Sequence, residues 1–153
     1  MPYEYNATVV NVVDGDTIVI DIDLGFDVKL TNQKVRLLGV DTPESRTSDK
    51  IEKVFGTASK DFTKKFVENC PNKNVIIRTH ISDDDEKFGR ILGSIINPVT
   101  QKVLNEELIN NNFAVKYMGE NKINVREEHL KNRKILIDNK IIKMTYAEAQ
   151  ITK

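Results

Sequence analysis

The chain has 153 residues, with 23 Lys and Arg against 23 Asp and Glu, so its formal net charge is zero. That length fits one domain, residues 1–153, and 39% hydrophobic residues support one modest core rather than two. The neutral sum excludes a globally basic nucleic-acid binder but leaves room for a locally basic face, and no apolar run approaches the roughly 20 residues of a membrane-spanning helix.

Charge is unevenly spread. Residues 1–50 hold nine acids and five bases, whereas residues 116–143 hold eight bases and four acids. An acidic front and a basic rear therefore underlie the zero sum. The single cysteine, Cys70, excludes an internal disulfide framework and a cysteine zinc site. Residues 1–6 carry neither a basic n-region nor an apolar h-region, so a cytoplasmic location is expected unless a signal has already been removed. A monomer without a membrane partner is the expectation.

The first half reads as β-structure. Residues 5–13 are rich in β-branched side chains, Asp14-Gly15 is a turn signal, and residues 17–22 continue as an alternating strand. Gly25 with Thr31-Asn32 marks a loop. Residues 34–40 form a third strand that Pro43 stops. A helix follows over residues 57–69, where Phe55, Ala58, Phe62 and Phe66 recur at three- and four-residue spacing. Thr57 is its expected N-cap, and Pro71 its stop.

Residues 74–80 and 90–97 are two further strands, separated by the acidic loop at residues 82–86. Leu104 and Leu108 suggest a short second helix ending in Asn110-Asn111-Asn112. Val125, Leu130 and Ile137 place a third over about residues 124–137. The core is expected over about residues 5–137. In the tail, 138–153, Asn139-Lys140 is either a hairpin turn or a fraying helix end. Five strands with a helix between the third and fourth match an α+β, mainly β, fold built on an OB-type Greek-key barrel with three helices, although element order alone also fits other α+β folds.

Three segments carry chemistry. Val13-Asp14-Gly15-Asp16-Thr17 puts two carboxylates at a tight turn. Arg36-Leu37-Leu38-Gly39-Val40-Asp41-Thr42-Pro43-Glu44 ends a strand in two acids around a proline, with an arginine on the same strand. Lys87-Phe88-Gly89-Arg90 places a basic pair after the acidic loop. Singly, each is an ordinary turn, strand exit or surface charge. Together they supply what phosphodiester hydrolysis needs. Hard carboxylate oxygens bind a hard cation, a further carboxylate accepts a proton from water, and arginines match phosphate oxygens bidentately.

These segments resemble the staphylococcal nuclease (thermonuclease) family. Gly56-Thr57-Ala58-Ser59, Phe62-Thr63-Lys64-Lys65, Leu104-Asn105-Glu106-Glu107-Leu108 and His129-Leu130-Lys131 extend the likeness, in order, from about residue 5 to 137. The resemblance implies an OB-fold barrel with three helices and a Ca²⁺-dependent nuclease acting on single-stranded or locally melted DNA and RNA. By position, Asp16 and Asp41 would bind one Ca²⁺ through carboxylates and Thr42 through its carbonyl. Glu44 would orient or deprotonate water, and Arg36 and Arg90 would hold the scissile phosphate. Lys87 and Tyr117 would lie along the substrate. The competing reading is a non-catalytic OB-fold module that binds nucleic acid or protein.

Several features depart from the secreted nuclease. Phe88 stands where it has a tyrosine, its C-terminal tryptophan is missing here, and the stretch between Thr17 and Arg36 is longer. The added Asp21, Asp23 and Asp27 read as a solvated hairpin rather than a second cation site. His80 and His129 read as structural or surface residues. Arg36 and Asp41 are five positions apart, so an ideal strand would point them to opposite faces. If they serve one site, the strand must bend before Asp41, and Gly39 is the expected place.

Overall fold

A computed structural model describes residues 3–80, 91–119 and 121–150. The strands β1 (Glu4–Asp14), β2 (Thr17–Asp23), β3 (Lys29–Leu37), β5 (Asn74–His80) and β6 (Ile91–Ile96) close a barrel in the order β1-β2-β3-β6-β5. All pairs are antiparallel except β3 with β6. This is the five-stranded OB-type barrel. The short strands β4 (Val40–Asp41) and β7 (Val115–Lys116) pair outside it.

Strand alternation fills the barrel. Ile18, Ile20 and Ile22 point inward from β2, Val35 and Leu37 from β3, and Val75 and Ile77 from β5. Full burial of such side chains contributes about 1.5–3 kcal/mol each. In β1 the inward positions change from Ala7 and Val9 to Val12, because the register shifts between Val9 and Asn11. One extra residue there restores an apolar inner face after the bend.

The helices are α1 (Lys50–Glu68), α2 (Leu104–Asn110), α3 (Lys122–Asp138) and the four-residue α4 (Tyr146–Ala149). The first helix begins seven residues before the expected Thr57. Its N-cap is Asp49, whose carboxylate accepts the Ile51 and Glu52 backbone N–H groups. Thr57 lies inside it. Ile51 and Phe55, at i and i+4, extend the apolar stripe into that first part. The third strand likewise begins earlier than expected, at Lys29. Thr31-Asn32 is a kink within the strand, with Asn32 at φ 54° and its N–H donated to Asp21 Oδ1 at 2.8 Å. The tail is neither hairpin nor simple fray. Lys140 adopts φ 60° after α3, and the chain turns back to bury Ile142 and Ala149 in the core.

Two close approaches set where the barrel's turns sit on α1. A Cβ on Gly15 would stand 2.9 Å from Ser59 Cβ and 3.0 Å from Thr42 Cγ2. A Cβ on Gly56 would stand 2.1 Å from the Glu44 carbonyl oxygen. The helix thus lies directly beneath both acidic turns. Thr63 Oγ1 donates to the Gly15 carbonyl at 2.7 Å, and Ser59 Oγ to that of Phe113 at 2.6 Å. Among the described residues, no helix is long and apolar enough to cross a membrane.

Candidate active site

β3 does not run unbroken into Asp41. It stops at Leu37, Gly39 takes φ +75°, and Val40–Asp41 resumes as β4 against β7. The break is pinned on both sides. Leu38 N–H donates to Gly93 O at 2.9 Å, and the Leu38 carbonyl accepts from the buried Asn105 amide at 2.9 Å. The bend expected at Gly39 is therefore present.

Its effect is to bring Arg36 and Asp41 to one side. The Arg36 guanidinium bridges two carboxylates, pairing through Nη1 with Asp16 Oδ2 and through Nη2 with Asp41 Oδ1 at 3.2 Å. Asp16 is buried, and its position is fixed further by Thr17 Oγ1 at 3.0 Å and the Thr42 N–H at 3.0 Å. Asp41 also meets His129 Nε2 through Oδ2 at 2.8 Å, which ties α3 to the site.

Glu44 faces the same cleft. Its carboxyl is raised above the ordinary value near 4.5, first by partial burial and then by the charges of Asp14, Asp16, Asp41 and Glu52. The cleft measures about 680 Å³ and is lined by Asp16, Arg36, Asp41 and Glu44 on the barrel side. Tyr117, Arg126, His129 and Arg133 line the opposite side. The acidic front of the chain thus faces its basic rear across one groove. Tyr117 is held at the rim by its N–H to Gly39 O at 2.9 Å.

Of the expected site residues, Asp16, Arg36, Asp41, Thr42, Glu44 and Tyr117 come together. Lys87, Phe88 and Arg90, with the acidic loop before them, lie outside the described residues. His129, Glu52 and Arg133 were not expected in the cleft. The spacing of Arg126, His129 and Arg133 at i, i+3 and i+7 is the signal for a polar face of α3, which a search for apolar periodicity passes over. Asp23 accepts the Gly25 N–H in the turn after β2, and Asp21 accepts the Asn32 N–H at the kink in β3, at 2.8 Å each.

A cation's fit can be judged from the donors. Asp16 and Asp41 already share one positive group, so both carboxylates address a common point. The buried Thr42 Oγ1 beside them has no hydrogen-bond partner among the described residues. No three His, Cys, Asp or Glu side chains among the described residues are grouped to hold a metal on their own. Two carboxylates with an unpartnered hydroxyl oxygen beside them suit a hard cation that would complete its six to eight ligands with other oxygens.

A family profile described as Staphylococcal nuclease homologue matches residues 34–144, well over half of the chain. The chain belongs to the staphylococcal nuclease family. The matched span includes Arg36, Asp41, Thr42 and Glu44, while Asp16 precedes it. Among curated relatives, a thermonuclease of Staphylococcus intermedius is 39% identical over 87 residues, 55% of this chain and 44% of that protein. A thermonuclease of Staphylococcus hyicus is 28% identical over 111 residues, 72% of this chain and 59% of that protein. An uncharacterized protein of Methanocaldococcus jannaschii is 29% identical over 152 residues, covering 84% and 70%. The chain thus spans about half the length of the thermonucleases it matches. Family membership accords with the barrel and with the acid–arginine groove that its loops form.

Proposed function

We propose that the groove hydrolyses phosphodiester bonds in single-stranded or locally melted DNA and RNA, with one Ca²⁺ as cofactor. The observation that carries this reading is the Arg36 bridge between Asp16 and Asp41, with Glu44 facing the same cleft. An arginine between two carboxylates beside a third, proton-accepting carboxylate matches the needs of attack by water on phosphorus. Family membership points the same way.

In this reading Asp16, Asp41 and the Thr42 carbonyl would hold the cation, which would supply Lewis-acid polarisation of a phosphate oxygen. The Glu44 carboxylate takes a proton from the attacking water as the oxygen bonds to phosphorus. One bridging oxygen of the phosphodiester leaves and is protonated from solvent. Arg36 donates to the phosphate oxygens as negative charge builds on them, and Arg90 and Lys87 are assigned to the same phosphate. Preorganised donors of this kind contribute several kcal/mol to the transition state, on the order of 3–4 for one lost donor. Tyr117 at the rim offers a ring against which a base can stack.

The test is cleavage of a labelled single-stranded DNA oligonucleotide with calcium and with chelator. Calcium-dependent cleavage abolished by chelator is expected. Calcium-independent, salt-sensitive binding without turnover would instead favour the binding-module reading.

A further inference from the structure

The side chain of Glu44 can work only if its backbone is held, and that backbone sits in an unusually closed seat. Gly56 on α1 leaves no room for a Cβ against the Glu44 carbonyl, at 2.1 Å, or the Ser45 nitrogen, at 2.6 Å. One turn earlier on the same helix face, Glu52 Oε1 accepts the Glu44 backbone N–H at 3.0 Å. On the far side, Asp14 Oδ1 accepts the Ser45 N–H at 3.2 Å and also the Ser45 hydroxyl. The residue is thus gripped from α1 and from the β1–β2 turn at once.

Glu52 is itself held. Its second oxygen, Oε2, pairs with Arg133 Nη2 at 2.7 Å, and the Arg133 side chain is only 4% exposed. The guanidinium lies over the Phe55 ring at 5.0 Å and donates through Nη1 to the Ala149 carbonyl at 2.9 Å. A continuous line of contacts therefore runs from the end of α4, through α3 and α1, to the loop that bears Glu44. Arg133 is a charged side chain in a nearly dry place, and its carboxylate partner divides its two oxygens between the guanidinium and one backbone amide. A fork bound on both sides orients better than a point charge, so lysine does not replace arginine there.

We propose that Glu52 and Arg133 are positioning residues for Glu44: they fix the loop at residues 42–45 so that the Glu44 carboxylate meets the attacking water, and the C-terminal segment takes part through Ala149. Neither residue touches the reacting atoms. The proposal rests on the reading of Glu44 as the base. Misplacement of a reacting group by about 1 Å costs on the order of a hundredfold in rate, so the relay acts on kcat rather than on KM.

The test has two arms on the full chain. In the first, Glu52→Ala, Glu52→Gln and Arg133→Met are made with and without Glu44→Gln, and kcat and KM are measured on a single-stranded DNA oligonucleotide with calcium. The relay predicts an about 10- to 100-fold lower kcat for Glu52→Ala and Arg133→Met, little change in KM, and a much smaller effect when Glu44 is already Gln. Glu52→Gln, which keeps an acceptor for the Glu44 N–H, falls in between and guards against a variant that does not fold.

In the second arm, amide hydrogen exchange at Glu44 is measured without substrate and referred to barrel amides such as Ile20 and Ile77. Loss of a bond to a charged acceptor should speed Glu44 exchange about tenfold or more in Glu52→Ala, with a smaller rise in Arg133→Met. Equal kcat losses in both backgrounds, a change in KM alone, or unaltered Glu44 exchange would overturn the relay. Absence of calcium-dependent cleavage by the wild-type chain would overturn the proposed function instead, and the exchange arm would still decide the relay.

Discussion

Arg36 Nη2 stands 3.2 Å from Asp41 Oδ1 because Gly39, between them, turns the chain at φ +75°. A side chain at that φ costs roughly 1–2 kcal/mol. A Cβ at residue 39 would also stand 3.4 Å from Met118 Sδ, an ordinary contact, so the cost comes from the backbone rather than from crowding. Gly39→Val should therefore lower stability by about that amount in urea unfolding, and a β-branched side chain adds to the strain. Cleavage should fall by more than the stability loss accounts for, since straightening the strand turns Asp41 away from Arg36. Full activity in a folded Gly39→Val variant would mean that the two residues do not serve one site.

In the proposed site, Arg36 and a divalent cation would compete for the same two carboxylates. Without metal, Arg36→Met leaves Asp16 and Asp41 without their common counter-charge, in a place where Asp16 is buried. Loss of that partner should destabilise the metal-free chain by about 1–3 kcal/mol. Calcium should restore stability in the variant, and its Tm rise on adding calcium should exceed that of the wild type. Differential scanning calorimetry with calcium and with chelator reads this directly. An equal or smaller rise in Arg36→Met would argue that the cation binds elsewhere.

Glu44 sets a pH dependence whose sign follows from its raised pKa. In the folded chain its carboxyl titrates above 4.5, through partial burial and the neighbouring carboxylates. The folded state then binds more protons than the unfolded state between these two values, so the contribution of Glu44 to stability falls as pH rises through that window. At neutral pH ionised Glu44 works against folding. In chelator at pH 7, Glu44→Gln should be more stable than the wild type, and the difference should close as pH falls below about 4.5. A Glu44→Gln variant less stable at pH 7, or a difference independent of pH, would contradict this environment for the carboxyl.

Much of the barrel was legible because strand alternation is a local signal. Ile18, Ile20 and Ile22 announce an inward face with no knowledge of their partners. Asp16, Arg36, Asp41 and Glu44 were legible because they lie in two short segments, and if Arg36 and Asp41 were to serve one site the strand had to bend, as it does at Gly39. Other parts depend on contacts between distant segments. Asp49 caps α1 in place of Thr57, because the Ile51–Phe55 pair extends the apolar stripe toward the N-terminus. Glu52 and Arg133 are 81 positions apart and meet only once α1 and α3 dock. His129 read as a structural or surface residue, with no sign of its place in the groove, because its partner, Asp41, is 88 positions away. Among the described residues the tail's return is carried by Ile142, Met144 and Ala149, which are too few and too irregularly spaced to make a periodic signal.

The role of Glu44 as proton acceptor is read out by the rate of oligonucleotide cleavage by Glu44→Gln, beside the wild type at saturating calcium. The substitution keeps the backbone contacts of residue 44 and removes only its proton acceptor. Calcium-dependent cleavage by the wild type, absent in chelator, is expected, with a kcat lower by about 10²–10⁴-fold in the folded variant. Wild-type cleavage that ignores calcium, or a Glu44→Gln variant as fast as the wild type, would contradict it.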